Sequence, residues 1–116
     1  MSVTIVRPED RAMAPVRDGN PILLQVVADG LAGNPYVHVT EVPAGHHIAA
    51  HSHSEDEVTV ILSGTAVVDG VTCGAGTLLV IPAHSEYAID AGPEPLTFAV
   101  IRPRKADYAG PQGPPA

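Results

Sequence analysis

Short runs of β-branched and aliphatic residues, separated at regular intervals by glycine, proline, asparagine and aspartate, restrict the fold of this chain most. Such runs are typical of antiparallel sandwiches and barrels, and the 3.6-residue period of amphipathic helices is almost absent. The sequence therefore predicts an all-β fold with closed or face-to-face sheets. The predicted strands are Val3–Val6, Ile22–Val27, Tyr36–Val42, His47–Ala50, Glu57–Leu62, Thr65–Val68, Thr77–Ile81, Glu86–Ile89 and Leu96–Arg102.

The chain length of 116 residues suits one domain with one core. We expect residues 1–35 to supply N-terminal strands and an arm that pack on a barrel, and residues 36–102 to form the barrel core. Residues 103–116 are rich in proline and glycine and are predicted to be a flexible tail. Asp69 and Gly70 are predicted to form a tight hairpin turn, because both central residues of such a turn need positive φ.

The distribution of charge limits the partners. The net charge is −7, which disfavours binding to the phosphate backbone of nucleic acids. No lysine or arginine occurs from Asp18 to Ile101, so a pocket built from that stretch lacks a permanently positive side chain. Since sugar phosphates and dicarboxylates are usually gripped by arginine or lysine, we expect a small substrate that is not strongly anionic.

Cellular location and assembly follow from other features. Cys73 is the only cysteine, which fits a reducing compartment, and no apolar run approaches the ~20 residues of a membrane span. We expect a cytoplasmic protein with no membrane partner.

The strand Glu57–Leu62 is apolar on both faces, and its outer face of Val58, Val60 and Leu62 needs a cover. A homodimer would supply that cover most simply.

The densest chemical signal is a cluster of histidines followed by a glutamate. Residues two apart on a strand point to the same side, so His51 and His53 present two imidazoles to one point. Glu57 can return to the same point on the next strand. Two imidazoles and one carboxylate suit a mononuclear divalent metal with open coordination positions. We expect Fe(II), although Mn, Ni, Zn, Co or Cu would also suit these donors.

The segment from Gly45 to Gly64 resembles the first motif of the cupin family. That motif runs glycine, five residues, His-x-His, three or four residues, glutamate, six residues and glycine, and every fixed position is met here. Gly76 and Pro82 keep the spacing of the second cupin motif. The resemblance covers roughly residues 36–102 and identifies the chain as a small single-domain cupin. It implies a double-stranded β-helix, or jelly-roll, barrel with one metal ion held by His51, His53 and Glu57.

The second motif departs from the family pattern at two positions. His84 stands at the position of the motif's last glycine, and histidine is among the residues that tolerate positive φ. Tyr87 stands where the family has its fourth ligand, a histidine. Three alternatives remain open: Tyr87 binds the metal as a phenolate, Tyr87 stays protonated and donates a hydrogen bond, or another histidine completes the site. The candidate histidines are His84, His38 and His47, the last of which shares strand parity with His51 and His53.

Cupins include dioxygenases, isomerases, epimerases, decarboxylases, cyclases and non-catalytic binding modules, so the fold does not choose the function. We expect a metal-dependent enzyme with dioxygenase-like, lyase-like or isomerase- and cyclase-like chemistry on a small organic molecule. Glu57 and Tyr87 are its candidate catalytic residues. The alternative is a non-catalytic module that binds a metal or a small molecule. The sequence names neither the substrate nor the reaction.

Overall fold

The computed structural model describes residues 2–111, and the following bounds refer to that part of the chain. Its strands are β1 (Ala14–Pro15), β2 (Leu23–Asp29), β3 (Tyr36–Val42), β4 (His47–His53), β5 (Glu57–Ser63), β6 (Ala66–Val68), β7 (Val71–Cys73), β8 (Leu78–Ile81), β9 (Tyr87–Ala91), β10 (Leu96–Arg102) and β11 (Tyr108–Ala109). A short 3₁₀ turn at Pro8–Asp10 precedes them. Within residues 2–111, no helix is long or apolar enough to span a bilayer.

The strands form two antiparallel sheets. The first has the order β1-β2-β3-β10-β5-β8, and the second has the order β11-β4-β9-β6-β7. Most spatial neighbours are distant along the chain, because the chain crosses repeatedly from one sheet to the other. This is the pattern of a double-stranded β-helix, and the all-β prediction is confirmed.

The predicted bounds of β3 and β10 are those observed, but the two ends of the chain differ from the prediction. The strand predicted at Val3–Val6 is wrong: Val3 and Ile5 are exposed, and within residues 2–111 no strand pairs with this segment. Strand propensity alone does not order a segment that has no neighbour to pair with. Ala14–Pro15 pairs with β2 instead, and Tyr108–Ala109, inside the predicted tail, pairs with β4. The last residues of that tail, 112–116, lie outside the described residues.

The two local backbone predictions are confirmed. Asp69 and Gly70 have φ of 51° and 76°, and they close the hairpin between β6 and β7 directly after the Val68–Val71 pair. His84 has φ of 65°, so it keeps the turn in which the family pattern places glycine. Cys73 is buried in the core.

The barrel interior changes character along β10. At one end Leu96 and Val42 are fully buried and oppose each other across β10 and β3. At the other end the buried polar side chains of His38, Thr59 and Glu57 lie on the two neighbouring strands, and Arg102 closes β10. The interior therefore has an apolar end, where the core lies, and a polar end, where the candidate site lies.

The outer face of the six-stranded sheet is apolar. Val80, Val58 and Ile101 lie in one cross-strand row, and Leu78 and Val60 lie in the next. Val80 is 77% exposed, Leu78 is 65% exposed, and Ile101 and Val58 are also exposed. We call Val58, Val60, Leu78, Val80 and Ile101 the outer apolar face.

Candidate functional site

His51 and His53 lie on β4 and are both buried, with ring centroids 5.1 Å apart. The register between β4 and β9 shifts between Ile48 and His51, so Ile48, His51 and His53 all face the cavity between the sheets. Because this irregularity reverses the strand parity, His47 points outward and bonds to Asp90. Of the candidate histidines, His47 therefore does not line the cavity that His51 and His53 face.

The surroundings of the two imidazoles differ. The His51 Nδ1–H donates to the Ala49 carbonyl over 2.8 Å, so Nε2 is the ring nitrogen of His51 through which it would bind a metal. The pKa of His53 falls to about 4, chiefly because burial disfavours the charged ring and also because Arg102 lies nearby. His53 is therefore unprotonated at neutral pH.

Glu57 is 2% exposed, and both of its oxygens accept hydrogen bonds. Its Oε1 accepts from Arg102 Nε at 3.0 Å and from Arg102 Nη2 at 2.9 Å. Its Oε2 accepts from the Thr59 hydroxyl at 2.5 Å and from the Tyr87 hydroxyl at 3.1 Å. Burial alone would raise the pKa of Glu57, but the charge of Arg102 and the Thr59 hydrogen bond outweigh it and lower the pKa.

Arg102 is the site residue that the sequence did not predict. It is 5% exposed and lines the cavity, and its guanidinium stacks on the Tyr36 ring 5.1 Å from the ring centroid. The expectation that the barrel holds no permanent positive charge is therefore wrong. Arg102 lies one residue beyond the cation-free stretch, and its inward direction follows from its position on β10.

Tyr87 faces the same region from β9. Its ring centroid is 4.5 Å from that of His51, and its hydroxyl donates to Glu57. Burial and the nearby negative charge of Glu57 raise the pKa of Tyr87, so the phenol keeps its proton at neutral pH. In the described arrangement Tyr87 is thus a hydrogen-bond donor.

The other candidate histidines are placed differently. His84 is exposed, and its backbone N–H donates to the His53 carbonyl over 2.7 Å, so it supports the site through the backbone. His38 is buried, lines the cavity and bonds to the Tyr36 hydroxyl over 2.9 Å. Burial, followed by the charge of Arg102, lowers the pKa of His38 to about 4.

Tyr108 covers the two imidazoles and was also not predicted. It pairs with His53 through β11, and its ring stacks on His51 at a centroid distance of 5.5 Å. Gly110 permits this close return, since a Cβ there would lie 2.8 Å from the His51 Cβ. A tyrosine within the Pro/Gly-rich segment was the only sequence signal for it.

The cavity has a mainly apolar wall with a polar end. Its apolar lining is Val16, Ile22, Leu24, Ile48, Ile89, Phe98 and Val100. Arg17 and Asn20 reach it from the N-terminal arm. Arg102 and Tyr87, which both bond to Glu57, line the cavity, whereas Glu57 itself does not. A small molecule entering this space would meet imidazole, phenol and guanidinium groups on one side and hydrocarbon on the other.

The donors fit a divalent metal ion in type: two imidazoles and one carboxylate. Among residues 2–111, however, no three histidine, cysteine, aspartate or glutamate side chains are grouped so as to hold one ion. Both oxygens of Glu57 accept hydrogen bonds instead, from Arg102, Thr59 and Tyr87. The site therefore contains the ligand set that the resemblance implies, with its carboxylate engaged elsewhere.

Comparison with known proteins gives partial sequence matches. No protein-family model matches the chain. The chain is 38% identical over 65 residues to dimethylsulfoniopropionate lyase DddW of Ruegeria pomeroyi, a match covering 53% of the chain and 43% of that protein. It is 40% identical over 63 residues to acireductone dioxygenase of a Picosynechococcus species, covering 46% of the chain and 35% of that protein. The chain thus matches less than half the length of these curated relatives.

Solved structures resemble the whole chain. A cupin protein described as RmlC-like from Ralstonia eutropha has a TM-score of 0.76 and 14% identity, over 97% of this chain and 76% of that one. An acetylacetone dioxygenase from Acinetobacter johnsonii has a TM-score of 0.75 and 16% identity, over 97% of this chain and 82% of that one. At these identities the likeness establishes the fold, and the resemblance to cupins is confirmed at that level.

Proposed function

We propose that this chain, which has the cupin fold, is a metal-dependent enzyme acting on a small organic molecule in the cavity beside His51 and His53. One observation carries the proposal: two buried imidazoles, His51 and His53, face one cavity, and the buried carboxylate of Glu57 accepts hydrogen bonds from Tyr87 and Arg102, which line the same cavity. Buried imidazole pairs beside a carboxylate are costly to assemble and are characteristic of metal centres.

His51 and His53 would hold the ion through ring nitrogens, and Glu57 would supply the negative ligand. When bound, a divalent transition metal supplies Lewis acidity or, in the case of Fe(II), a centre for oxygen chemistry. Fe(II) is our first choice, and Mn, Ni, Zn, Co and Cu are the alternatives to be tested. Which residue, if any, completes the site beyond these three stays a prediction.

The remaining site residues would bind and orient the substrate. Tyr87 holds its proton at the hydroxyl and can donate a hydrogen bond toward Glu57 or a neighbouring oxygen. The apolar wall and the Tyr108 ring would exclude water from the imidazoles. Arg102 brings a positive charge, but Glu57 offsets it while the two are paired, so a small substrate that is not strongly anionic still fits best.

The relatives support enzymatic activity in general terms. They include a lyase and two dioxygenases, and the chemistry proposed here is of the dioxygenase, lyase or isomerase type. Because the sequence matches are partial, no individual substrate is carried over. The predicted cytoplasmic location likewise stays a prediction.

The test is metal loading followed by a substrate screen. The apo-protein is loaded with each candidate metal, analysed for metal content, and incubated with small enols, diketones and hydroxy acids while oxygen uptake and products are followed. His51→Ala and His53→Ala should each lose most of the metal, whereas His47→Ala, a matched outward histidine of the same strand, should retain it. Full metal content in His51→Ala would overturn the assignment.

The same screen separates the enzyme from the alternative binding module. Turnover that disappears in Glu57→Gln, with the fold intact by circular dichroism, supports catalysis. A ligand that binds every metal-loaded form tightly and is recovered unchanged would favour the non-catalytic module.

We further propose a homodimer formed through the outer apolar face. Its side chains come from neighbouring strands, and β8 is the edge strand of its sheet, with one side unpaired within the described chain. A second copy of the chain would cover the exposed side chains and the open edge together.

A further inference from the structure

His38 is a buried polar residue that faces the cavity and is not among the three proposed metal ligands. It is 3% exposed and lines the cavity from β3. Its Nδ1 lies 2.9 Å from the Tyr36 hydroxyl oxygen. Among residues 2–111, its second ring nitrogen, Nε2, has no hydrogen-bond partner, and protein atoms do not seal it. A buried nitrogen of this kind can take its partner from a molecule in the cavity.

The His38 ring is uncharged and therefore carries one N–H. Burial, followed by the charge of Arg102, lowers the pKa of His38 to about 4, well below neutral pH. The single ring proton is either on Nδ1, which then donates to Tyr36, or on Nε2, which then offers its N–H to the cavity. The partner at Nδ1 decides between these two tautomers.

Tyr36 is the donor in this pair. Burial raises the pKa of Tyr36, and the charge of Arg102 opposes that rise only in part, so the phenol is protonated. A phenol is a stronger hydrogen-bond donor than a neutral imidazole N–H, and an imidazole lone pair is a stronger acceptor than a phenol oxygen. The Arg102 guanidinium, whose Cζ lies 5.1 Å from the Tyr36 ring centroid, also repels the hydroxyl proton. Tyr36 therefore donates to Nδ1, and Nε2 carries the His38 proton.

The surroundings of this N–H favour an oxygen that carries only a partial negative charge. Arg102 and Glu57 act on the His38 ring with opposite signs, and Arg102 acts more strongly. Burial nevertheless has the largest effect on the ring, so a full charge placed beside it would lose much of its hydration. A carbonyl oxygen needs only the N–H donor and brings no charge that must be compensated.

We propose that His38 is a substrate-binding residue whose Nε2–H donates to the carbonyl oxygen of a small uncharged molecule, and that Tyr36 fixes the ring in this tautomer. This role rests on the proposed function only in that the cavity is taken as the substrate site, because the hydrogen bond needs no metal. The substrate class is thereby narrowed to uncharged ketones, esters or amides. Their short apolar groups can contact Phe98 and Val100, which line the same cavity from the paired strand β10.

The first measurement is the ¹⁵N NMR spectrum of the histidine rings in the metal-free protein, which distinguishes the two tautomers. The signals of His38 are identified by their absence in His38→Gln. In the wild type the ring should carry its proton on Nε2. In Tyr36→Phe the donor to Nδ1 is gone, and the ring should become a mixture of the two tautomers. A wild-type ring with its proton on Nδ1 would overturn the proposal.

The second measurement is the binding of diethyl ketone to the metal-free protein, followed by changes in the backbone amide shifts. His38→Leu loses the N–H and should weaken binding about two- to tenfold. His38→Gln keeps an N–H donor near the Nε2 position and should bind nearly as well as the wild type. His47→Leu, which removes an exposed histidine outside the cavity, should bind like the wild type. Equal affinity in the wild type and in His38→Leu would overturn the proposal.

Two probes with the same carbon skeleton test the class of ligand. Diethylacetate has a carboxylate on its central carbon, and the corresponding amine has an ammonium group there. Both should bind at least about tenfold more weakly than diethyl ketone, because each brings a full charge into the cavity and the ammonium group offers no acceptor. Tighter binding of the carboxylate than of the ketone would contradict the assignment to an uncharged carbonyl.

The outcomes separate this role of His38 from the metal-dependent function. Ketone binding through His38 in a protein that takes up no metal would support the hydrogen-bonding site and overturn the proposed function. Metal uptake through His51 and His53 without any ketone binding would overturn the role of His38 alone.

Discussion

A barrel usually has apolar side chains inside and polar side chains outside. In the six-stranded sheet this order is reversed at the polar end of the barrel. The inner face at its polar end carries Glu57, Thr59 and Arg102, all buried, whereas the outer face carries Val58 and Val80, both exposed. On β5 the two kinds of residue alternate along one strand. Each inner group is compensated by hydrogen bonds, but nothing in the described chain covers the outer side chains.

Both the buried charges and the exposed apolar side chains are energetically unfavourable unless something compensates them. Burying a carboxylate and a guanidinium is unfavourable unless both are fully paired, and apolar exposure of this extent is unusual in a monomer. We therefore propose that the inner face is a site that holds charge and that the outer face contacts a second copy of the chain. The following variants test that comparison.

The largest effect should come from breaking the inner ion pair in the apo-protein. Arg102→Met leaves Glu57 buried and unpaired, and should lower the free energy of unfolding by about 3–5 kcal/mol. Arg104→Met, which removes an exposed charge, should change it by less than about 0.5 kcal/mol. Urea denaturation measures both, and equal effects would contradict the distinction between the buried and the exposed pair.

A smaller effect is expected from pH through His38. Its pKa of about 4 in the folded protein lies below the ordinary value of 6.5, so the unfolded chain binds the proton more readily. Its contribution to stability is complete above about pH 6.5 and is lost as the pH falls toward 4. Between pH 7.5 and 5 the loss should be about 2 kcal/mol. His53 has the same pKa of about 4 and should add a comparable loss, so His38→Gln should remove about half of this pH dependence. An unchanged profile would contradict the contribution of His38.

The outer face should control assembly rather than stability. Val80→Lys places a charge on the most exposed residue of the outer apolar face, beside the open edge of β8, and should raise the dissociation constant of the dimer at least about tenfold. Val3→Lys, at an equally exposed valine outside this face, should leave it unchanged. Light scattering at micromolar concentration measures the mass, and a monomeric wild type would remove the basis of the dimer proposal.

The smallest effect concerns Tyr87. Because its phenol keeps its proton and donates to Glu57, Tyr87→Phe should lower the free energy of unfolding by about 1 kcal/mol. The wild type loaded with Fe(III) should show no tyrosinate charge-transfer band in the visible range. A visible band that disappears in Tyr87→Phe but persists in Tyr108→Phe would instead identify Tyr87 as a metal ligand.

Predictions that depended on a few neighbouring residues agree with the structure. The Asp69-Gly70 turn and the positive φ of His84 are set by steric preferences within single residues. The bounds of β3 follow from a long β-branched run between clear breakers. The missed strand Val71–Cys73 is too short to stand out from its turn.

The prediction of the site was less complete, because direction and register depend on pairing between strands. The alternation of side chains along a strand places His47 on the same side as His51. The register shift between β4 and β9 turns His47 outward instead. Nothing local indicates that Arg102 turns into the barrel or that Tyr108 returns to cover His51. Both positions arise from contacts with residues more than forty positions away in sequence.

The sequence by itself determined that the chain is an all-β protein with a His51, His53 and Glu57 constellation, because alternation, turn residues and motif spacing are local properties. Only the tertiary structure decided which groups share the polar end of the barrel. There the charge of Glu57 must be compensated within a buried space, and the partner that compensates it is chosen by strand pairing across the sheet. That choice joined Arg102 to the site and engaged the oxygens through which Glu57 would bind a metal.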